Sequence, residues 1–490
     1  MTGLASWAAD INVNSISDFP STLVSGNTYI LKTDLVVNRM TWVSGDVTLD
    51  LNGHVLDRNL TVEDPSGCCL YISRGSLTIM DSNPSSTHTG SLAAYTGGII
   101  TGAYNEYSSP GGAVRVQSGT LYLRGGTIAG NRCGRGAGVF VDDRMVMTGG
   151  KICGNISNDD TYYGGGQGGG VMLSYASTGG STFTMTGGEI SGNLGGGLCA
   201  YSSANPPTIN IGGTAKIYNN TLNDGTTPCN LYLQTNINVN ITSALESGAN
   251  IWVSKKAGEG TFTSGYAAHN SSDAPSAYFS SDNSFYEVAL DGSGEVQLAA
   301  GTTTLTANRV DDNYWATYYR SDVNCQADAN TIVYAATRDG STLTLVEVPN
   351  RVVKADEGVV LMSTEQTITL TNTTIAPTSG TYTGNVLSGV DAVAAQASGY
   401  TYYVLSCENS TLGFYKYNSG NTLGAHKAYL AVPAADARGF FLFGDDATGV
   451  QELENTEVAD MESCYNLLGC KVIQPNRGLY ILNGKKVIIK

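Results

Sequence analysis

Two acidic pairs, Asp142-Asp143-Arg144 and Asn158-Asp159-Asp160, carry the residue types and spacing that could do chemistry. Carboxyls held roughly 5–10 Å apart can flank a glycosidic bond, one as general acid and the other as nucleophile or base. Carboxylates can also hold a Ca²⁺ that neutralises a uronate while a Lys or Arg takes the proton, which is lyase chemistry. Arg115, Arg132, Arg135 and Arg144 lie near enough in register to act as that base. Asp142, Asp143, Asp159 and Asp160 are therefore the catalytic set of an enzymatic reading. As solvated turn residues they need no function at all. No cofactor is called for, and Ca²⁺ is the one ion these pairs could take. His54, His88, His269 and His426 are scattered singly, so no histidine-based centre is legible. Gly164–Gly170 has neither the Lys-Ser/Thr nor the following helix of a phosphate loop.

A second set of candidates is aromatic. Tyr104, Tyr107, Tyr162, Tyr163, Tyr175 and Tyr201 fall in insertions or at strand ends. Tyrosine faces stack on sugar rings, and neighbouring Asn and Asp can satisfy hydroxyls, so these six form a candidate glycan-binding strip. The two stretches Asn83–Thr96 and Ile156–Gly168 interrupt an otherwise regular pattern, and loops on a rigid scaffold are where function tends to sit.

The elements that must position these residues come from an internal repeat. Leu121–Asn131, Met145–Asn155 and Phe183–Asn193 share an apolar-x-apolar-x-Gly-Gly-x-Ile-x-Gly-Asn pattern, with a looser copy at Ile209–Asn220. A second motif, Gly111–Val116, Gly136–Val141, Gly168–Leu173 and Gly195–Ala200, interleaves with the first. Apolar residues alternate at period two, which is strand periodicity. Strands this short cannot bury a face alone, but units stacked at ~4.8 Å per layer can. Ile128, Ile152, Ile190 and Ile217 then form one interior column. The Gly-Gly pairs supply positive-φ corners. Asn131, Asn155 and Asn193 close further corners in the left-handed region, each amide bonding the next coil's Asn. The pattern describes a right-handed parallel β-helix over residues 1–300, with Ile11–Asn38 as an N-terminal cap and Val296-Gln-Leu298 in the last coil. Arg115, Phe140, Met172 and Cys199 point outward beside the column Val114, Val139, Val171 and Leu198. Thr127, Lys151, Glu189 and Lys216 form an outward ladder of alternating charge.

Composition agrees. The 490 residues include 61 Gly, only 14% are charged, and the net charge is −16. A nucleic-acid binder would need a basic face, and no apolar run is long enough to span a membrane as a helix. Ten Cys are too few for a disulfide scaffold, and Cys464–Cys470 is the pair to test for one. No signal peptide is visible, and the chain reads as a mature exported form with an added Met1. After Ala300 glycine thins, and successive β-branched and aromatic runs between 305 and 433 predict an antiparallel β-sandwich over 301–450. Residues 451–490 follow as a linker and a short β-rich segment.

The G-G-x-[IV]-x-G-N and G-G-[AG]-[VIL] motifs resemble bacterial surface β-helix proteins of the adhesin-like, pectate-lyase-fold type. Gly413-Phe-Tyr-Lys and Ala425-His-Lys-Ala-Tyr-Leu resemble a module near the C-terminus of many Bacteroidetes cell-surface proteins. Tyr465-Asn-Leu-Leu-Gly-Cys-Lys-Val and Gly478-Leu-Tyr-Ile-Leu-Asn-Gly-Lys-Lys-Val are similar to the C-terminal sorting-type domain of that group, with Cys470 where Arg or Gln usually stands. The resemblance implies an exported, monomeric, non-enzymatic adhesin-like protein at the outer cell surface or released, contacting a polysaccharide or a host or bacterial surface glycan. The alternative it leaves open is a polysaccharide lyase or glycoside hydrolase. The chain lacks the G-H-G, R-I-K and R-x-P-x-x-R signatures such enzymes carry.

Overall fold

The computed structural model describes residues 9–106, 111–157, 166–174, 180–201, 205–340, 342–408, 410–418 and 420–443 with their side chains, and residue 472. Of four strands, Val450–Leu453, Cys464–Tyr465, Gly478–Leu482 and Lys485–Ile489, it describes the backbone. The protein is all-β, and its contacts divide it into two units, Met1–Ala299 and Ala300–Lys490.

The first unit is a parallel β-helix with three strand-bearing faces. The first face stacks Val114–Val116, Val139–Val141, Val171–Leu173, Leu198–Ala200 and Leu231–Leu233. The second stacks Thr120–Leu123, Arg144–Met147, Thr182–Met185, Thr208–Gly213 and Val239–Leu245. The third stacks Thr127–Ala129, Lys151–Cys153, Glu189–Ser191, Lys216–Tyr218 and Asn250–Lys255. Upstream, Thr41–Asp50 and Leu70–Met80 are long enough to run through the first two faces in one strand each. The register is the one that the repeat predicts: Thr120 lies beside Arg144 and Arg144 beside Thr182, so the longer step lengthens a loop without shifting a rung. Ile128, Ile152, Ile190 and Ile217 form the expected column and are fully buried. Each such side chain contributes about 1.5–3 kcal/mol through burial.

The corners differ in detail from expectation. Gly126, Gly150 and Gly188, the second members of the Gly-Gly pairs, adopt φ of +79°, +74° and +89°. At the next corner the left-handed residue is Gly130, Gly154 or Gly192, and not the Asn that follows it. The Asn backbone thereby stays out of the left-handed region, and its side chain is fully buried. In the following coil Asn219 takes the left-handed role, at φ +55°, and Asn220 joins the ladder. Asn131, Asn155, Asn193 and Asn220 donate both backbone N–H and Nδ2–H to the Oδ1 of the next ladder member, at 2.7–3.2 Å. Asn230 continues the series and passes it to a carboxylate, donating its backbone N–H to Asp282 Oδ2 at 2.8 Å and its Nδ2–H to Oδ1 at 2.5 Å.

The two ends also depart from expectation. The segment read as an N-terminal cap carries rungs of all three faces: Asp10–Val13 and Thr28–Leu31 on the second, Thr22–Leu23 on the first, Leu35–Val36 on the third. At the other end Val296–Ala300 pairs antiparallel with Gly260–Thr261, so Val296 and Leu298 close the stack and do not extend it. Phe262, Tyr266 and Phe279 fill the axis there, with Phe262 edge-on to Phe279 at 5.3 Å.

The second unit is sandwich-like. A four-stranded antiparallel sheet of Thr302–Thr306, Thr367–Asn372, Cys325–Ala327 and Val352–Val353 shares a core with a ten-stranded sheet through Tyr318, Val333, Leu361, Ile368 and Leu370. The far half of the larger sheet has its own core around Tyr403, Phe414, Leu430 and Phe441. Val450–Leu453, read from sequence as linker, forms a strand parallel to Lys485–Ile489, which pairs in turn with Gly478–Leu482. Cys470 lies outside the described residues, and so does its pairing with Cys464.

Met147 is fully buried in the helix interior, whereas the Lys151 side chain is 54% exposed. Met147→Asp is expected to cost several kcal/mol, because it buries an unpaired charge, and Lys151→Ala under ~1 kcal/mol. Chemical denaturation of both variants checks the assignment of inside and outside.

Asp282 gives a pH dependence. Burial raises its pKa above the ordinary 3.8, outweighing the hydrogen bonds from Asn230 and Ser254. The folded chain therefore holds this proton to higher pH than the unfolded chain does. The penalty of the ionised form is absent below the ordinary carboxylate range and develops as pH rises through the raised native value. Asp282→Asn removes the titration, while one Oδ1 can still take both Asn230 donors as on every other rung. Melting curves from about pH 3 upward should show wild type losing stability relative to this variant as pH rises.

Candidate functional site

Side chains alternate across a strand, so the residue between two inward ones on each rung of the first face must point out. In register these are Trp42, Tyr71, Arg115, Phe140, Met172, Cys199 and Tyr232. The row has two halves. Phe140, Met172 and Cys199 are at most 4% exposed and join Tyr201, Cys229, Tyr232 and Leu222 in a second apolar layer outside the coil. The sequence places these residues outward correctly but reads them as a surface. The structure covers them.

The other half stays open. Trp42 is 40% exposed, and its ring centre lies 4.5 Å from that of Tyr71, tilted by 48°. The Arg115 guanidinium sits 5.7 Å from the Tyr71 ring centre and 5.5 Å from that of Phe140. Three consecutive rungs thus present indole, phenol and guanidinium planes as one short strip. Polar groups flank it: Arg74 donates to Ser44 Oγ at 2.7 Å, and Gln117 is exposed. Such planes can stack on the apolar face of a ring while the flanks satisfy hydroxyls.

Two of the four acidic candidates, Asp142 and Asp143, have partners within the chain. Asp142 accepts from Arg115 Nη2 at 3.2 Å, with both side chains about one-fifth exposed. Burial raises the Asp142 pKa against the lowering effect of Arg115 and of a hydrogen bond from Ser174. Asp143 accepts the Gly119 N–H at 2.6 Å, fixing the corner between the first two faces. The neighbours along the chain therefore have separate structural partners and do not converge on a cleft. Asp159 and Asp160 lie outside the described residues. Among the described residues no group of three or more His, Cys, Asp or Glu could hold a metal ion.

Two of the six tyrosines, Tyr104 and Tyr201, lie among the described residues. Tyr104 is half-buried, with the Arg132 guanidinium 5.9 Å from its ring centre. Tyr201 is 1% exposed, and its hydroxyl donates to the Gly166 carbonyl within the second apolar layer. Tyr107, Tyr162, Tyr163 and Tyr175 lie outside the described residues. The loop Asn83–Thr96 packs Leu92 and Tyr95 onto Val55, Ile99 and Ala129 of the third face.

The outward charge ladder forms in part. Lys151 Nζ reaches Glu189 Oε2 at 3.4 Å, and Glu189 also accepts from Ser191 and Tyr218. Lys216 stands beside Glu189 in register but makes no ion pair among the described residues.

Trp42 and Tyr71 are the residues the sequence reading missed. Their signal was the alternation Thr41-Trp42-Val43 and Leu70-Tyr71-Ile72, the same in-out-in triplet as Val114-Arg115-Val116. Compared with protein-family models, with curated proteins and with solved structures, the chain gives no match.

Arg115→Ala would leave the half-buried Asp142 carboxylate without its cation and the Tyr71 ring without its guanidinium contact. We expect a loss of about 1.5–3 kcal/mol, most of it recovered in the double variant Arg115→Ala/Asp142→Asn. A double-mutant cycle by urea denaturation measures the coupling.

Proposed function

We propose that this chain is a non-catalytic glycan-contacting β-helix, exported and adhesin-like, displayed at the outer cell surface or released. The observation that carries the reading is the open strip Trp42–Tyr71–Arg115 on a rigid parallel sheet. Stacked planes held by a sheet lose little entropy on binding, and Trp, Tyr and Arg are the side chains that dominate binding energies. The neighbouring carboxylates support contact without cleavage, since Asp142 and Asp143 are committed to Arg115 and to the Gly119 N–H. The resemblance of the two C-terminal segments to surface-protein modules supports export.

The test is a glycan array followed by prolonged incubation of each bound polysaccharide. Retention without new reducing ends and without absorbance at 235 nm is expected. Trp42→Ala and Tyr71→Ala should each weaken retention by about 2 kcal/mol, roughly thirty-fold. New reducing ends would overturn the non-catalytic reading, and undiminished retention in both variants would remove the strip from it.

A further inference from the structure

A second site lies on the same outward row. Where the Asn ladder ends, a cavity of about 380 Å³ opens within the first unit, within the roughly 300–1,000 Å³ range of small-molecule pockets. Tyr232 and Ser254 from adjacent rungs, Asp282, Tyr286 and the apolar floor of Val253 and Leu298 line it. It is five rungs beyond Tyr71, about 24 Å at the spacing of a parallel sheet, so it does not belong to the Trp42 strip.

The groups in the cavity narrow the ligand class. A carboxylate offers about four acceptor positions. Asp282 uses three of them, for Asn230 N–H, Asn230 Nδ2–H and Ser254 O–H. One position on Oδ1 is left for a donor from outside the chain. The cation of the cavity, Lys255, donates two of its three N–H groups to the carbonyls of Gly260 and Thr261 at 2.9 and 2.8 Å. The lining thus holds one carboxylate and one ammonium, a balance of charge that favours a neutral ligand over an anionic one. A ring with an apolar face and hydroxyl donors would meet tyrosines, aliphatic floor and an acceptor.

We propose that this cavity is a subsite for a single neutral sugar ring, with Asp282 Oδ1 accepting a ring hydroxyl and Tyr286 packing against the C–H face. The proposal takes its ligand class from the glycan reading above, but its site is separate.

The experiment is saturation-transfer NMR and calorimetry on the full chain, using methyl glycosides of neutral hexoses and of the matching uronic acids. Wild type should bind a neutral glycoside, and the part of that binding that Asp282→Asn removes should persist in Trp42→Ala. Asp282→Asn, whose single oxygen is filled by the two Asn230 donors, should bind at least ten-fold more weakly with an unchanged melting profile at low pH. Tyr286→Ala should lose the ring-proton transfer. Equal or tighter binding of the uronates, retained binding in both cavity variants, or no binding of any neutral glycoside would overturn the proposal. Loss of binding in Trp42→Ala alone would place the sugar on the strip, which sinks this site and leaves the glycan reading standing. Failure of the strip variants on polysaccharide, with glycosides still held at Asp282, would do the reverse.

Discussion

A buried amide left without partners costs about 1–3 kcal/mol, and each central coil of this helix buries one at the same corner. The ladder from Asn131 to Asn230 answers that cost in only one register. Each Oδ1 takes two donors from the preceding rung, and each Nδ2 also reaches a backbone carbonyl one layer back, as Asn193 does to Ile152 and Asn220 to Ile190. A slip by one residue would strand every one of these groups at once. Sequence intervals between ladder members are 24, 38, 27 and 10 residues, so the ladder fixes the coil while leaving loop length free. The series is directional, and it ends on a half-buried carboxylate, Asp282, whose two oxygens take the Asn230 donors.

That constraint divides the side chains into two populations. Inward columns take apolar side chains of varied shape, as Leu121, Met145, Phe183 and Ile209 do in one column of the second face. The outward row of the first face carries indole, phenol, guanidinium, phenyl, thioether and thiol on successive rungs. A scaffold fixed from inside can hold such dissimilar groups at constant spacing, and from that regularity both the open strip and the covered apolar layer arise.

The same physics explains what could be read in advance. The columns, the steps between coils and the Asn-to-Asn bonding were legible because period-two alternation and glycine corners are local signals repeated several times. The left-handed residue was misplaced by one because Gly-Asn is ambiguous until the amide's partner is known. Phe140, Met172 and Cys199 were correctly outward, but whether an outward residue is covered depends on segments distant in sequence. Asp282 was invisible for a related reason: it lies 52 residues beyond Asn230 and is the one ladder member that is not an Asn. Trp42 was passed over because its triplet sits in a single long strand without the Gly-Gly mark. The partners of Asp142 and Asp143 were not legible either, since a sequence does not show that Arg115 and the Gly119 N–H hold them.

The disposition of charge bears on what such a surface can recognise. The chain carries a net charge of −16, and the cations of its candidate surfaces have partners within the chain. Arg115 is held by Asp142 and Lys151 by Glu189, Lys255 donates to two carbonyls beside Asp282, and Arg74 donates to Ser44 Oγ. An acidic ligand would face long-range repulsion from the chain as a whole. Recognition there must come from stacking, shape and hydroxyl exchange, terms that salt screens little. Stacked planes spaced by a parallel sheet and an acceptor-lined cavity suit flat neutral rings on both counts, and the internal pairing that stabilises the coil is what removes charge from the contact.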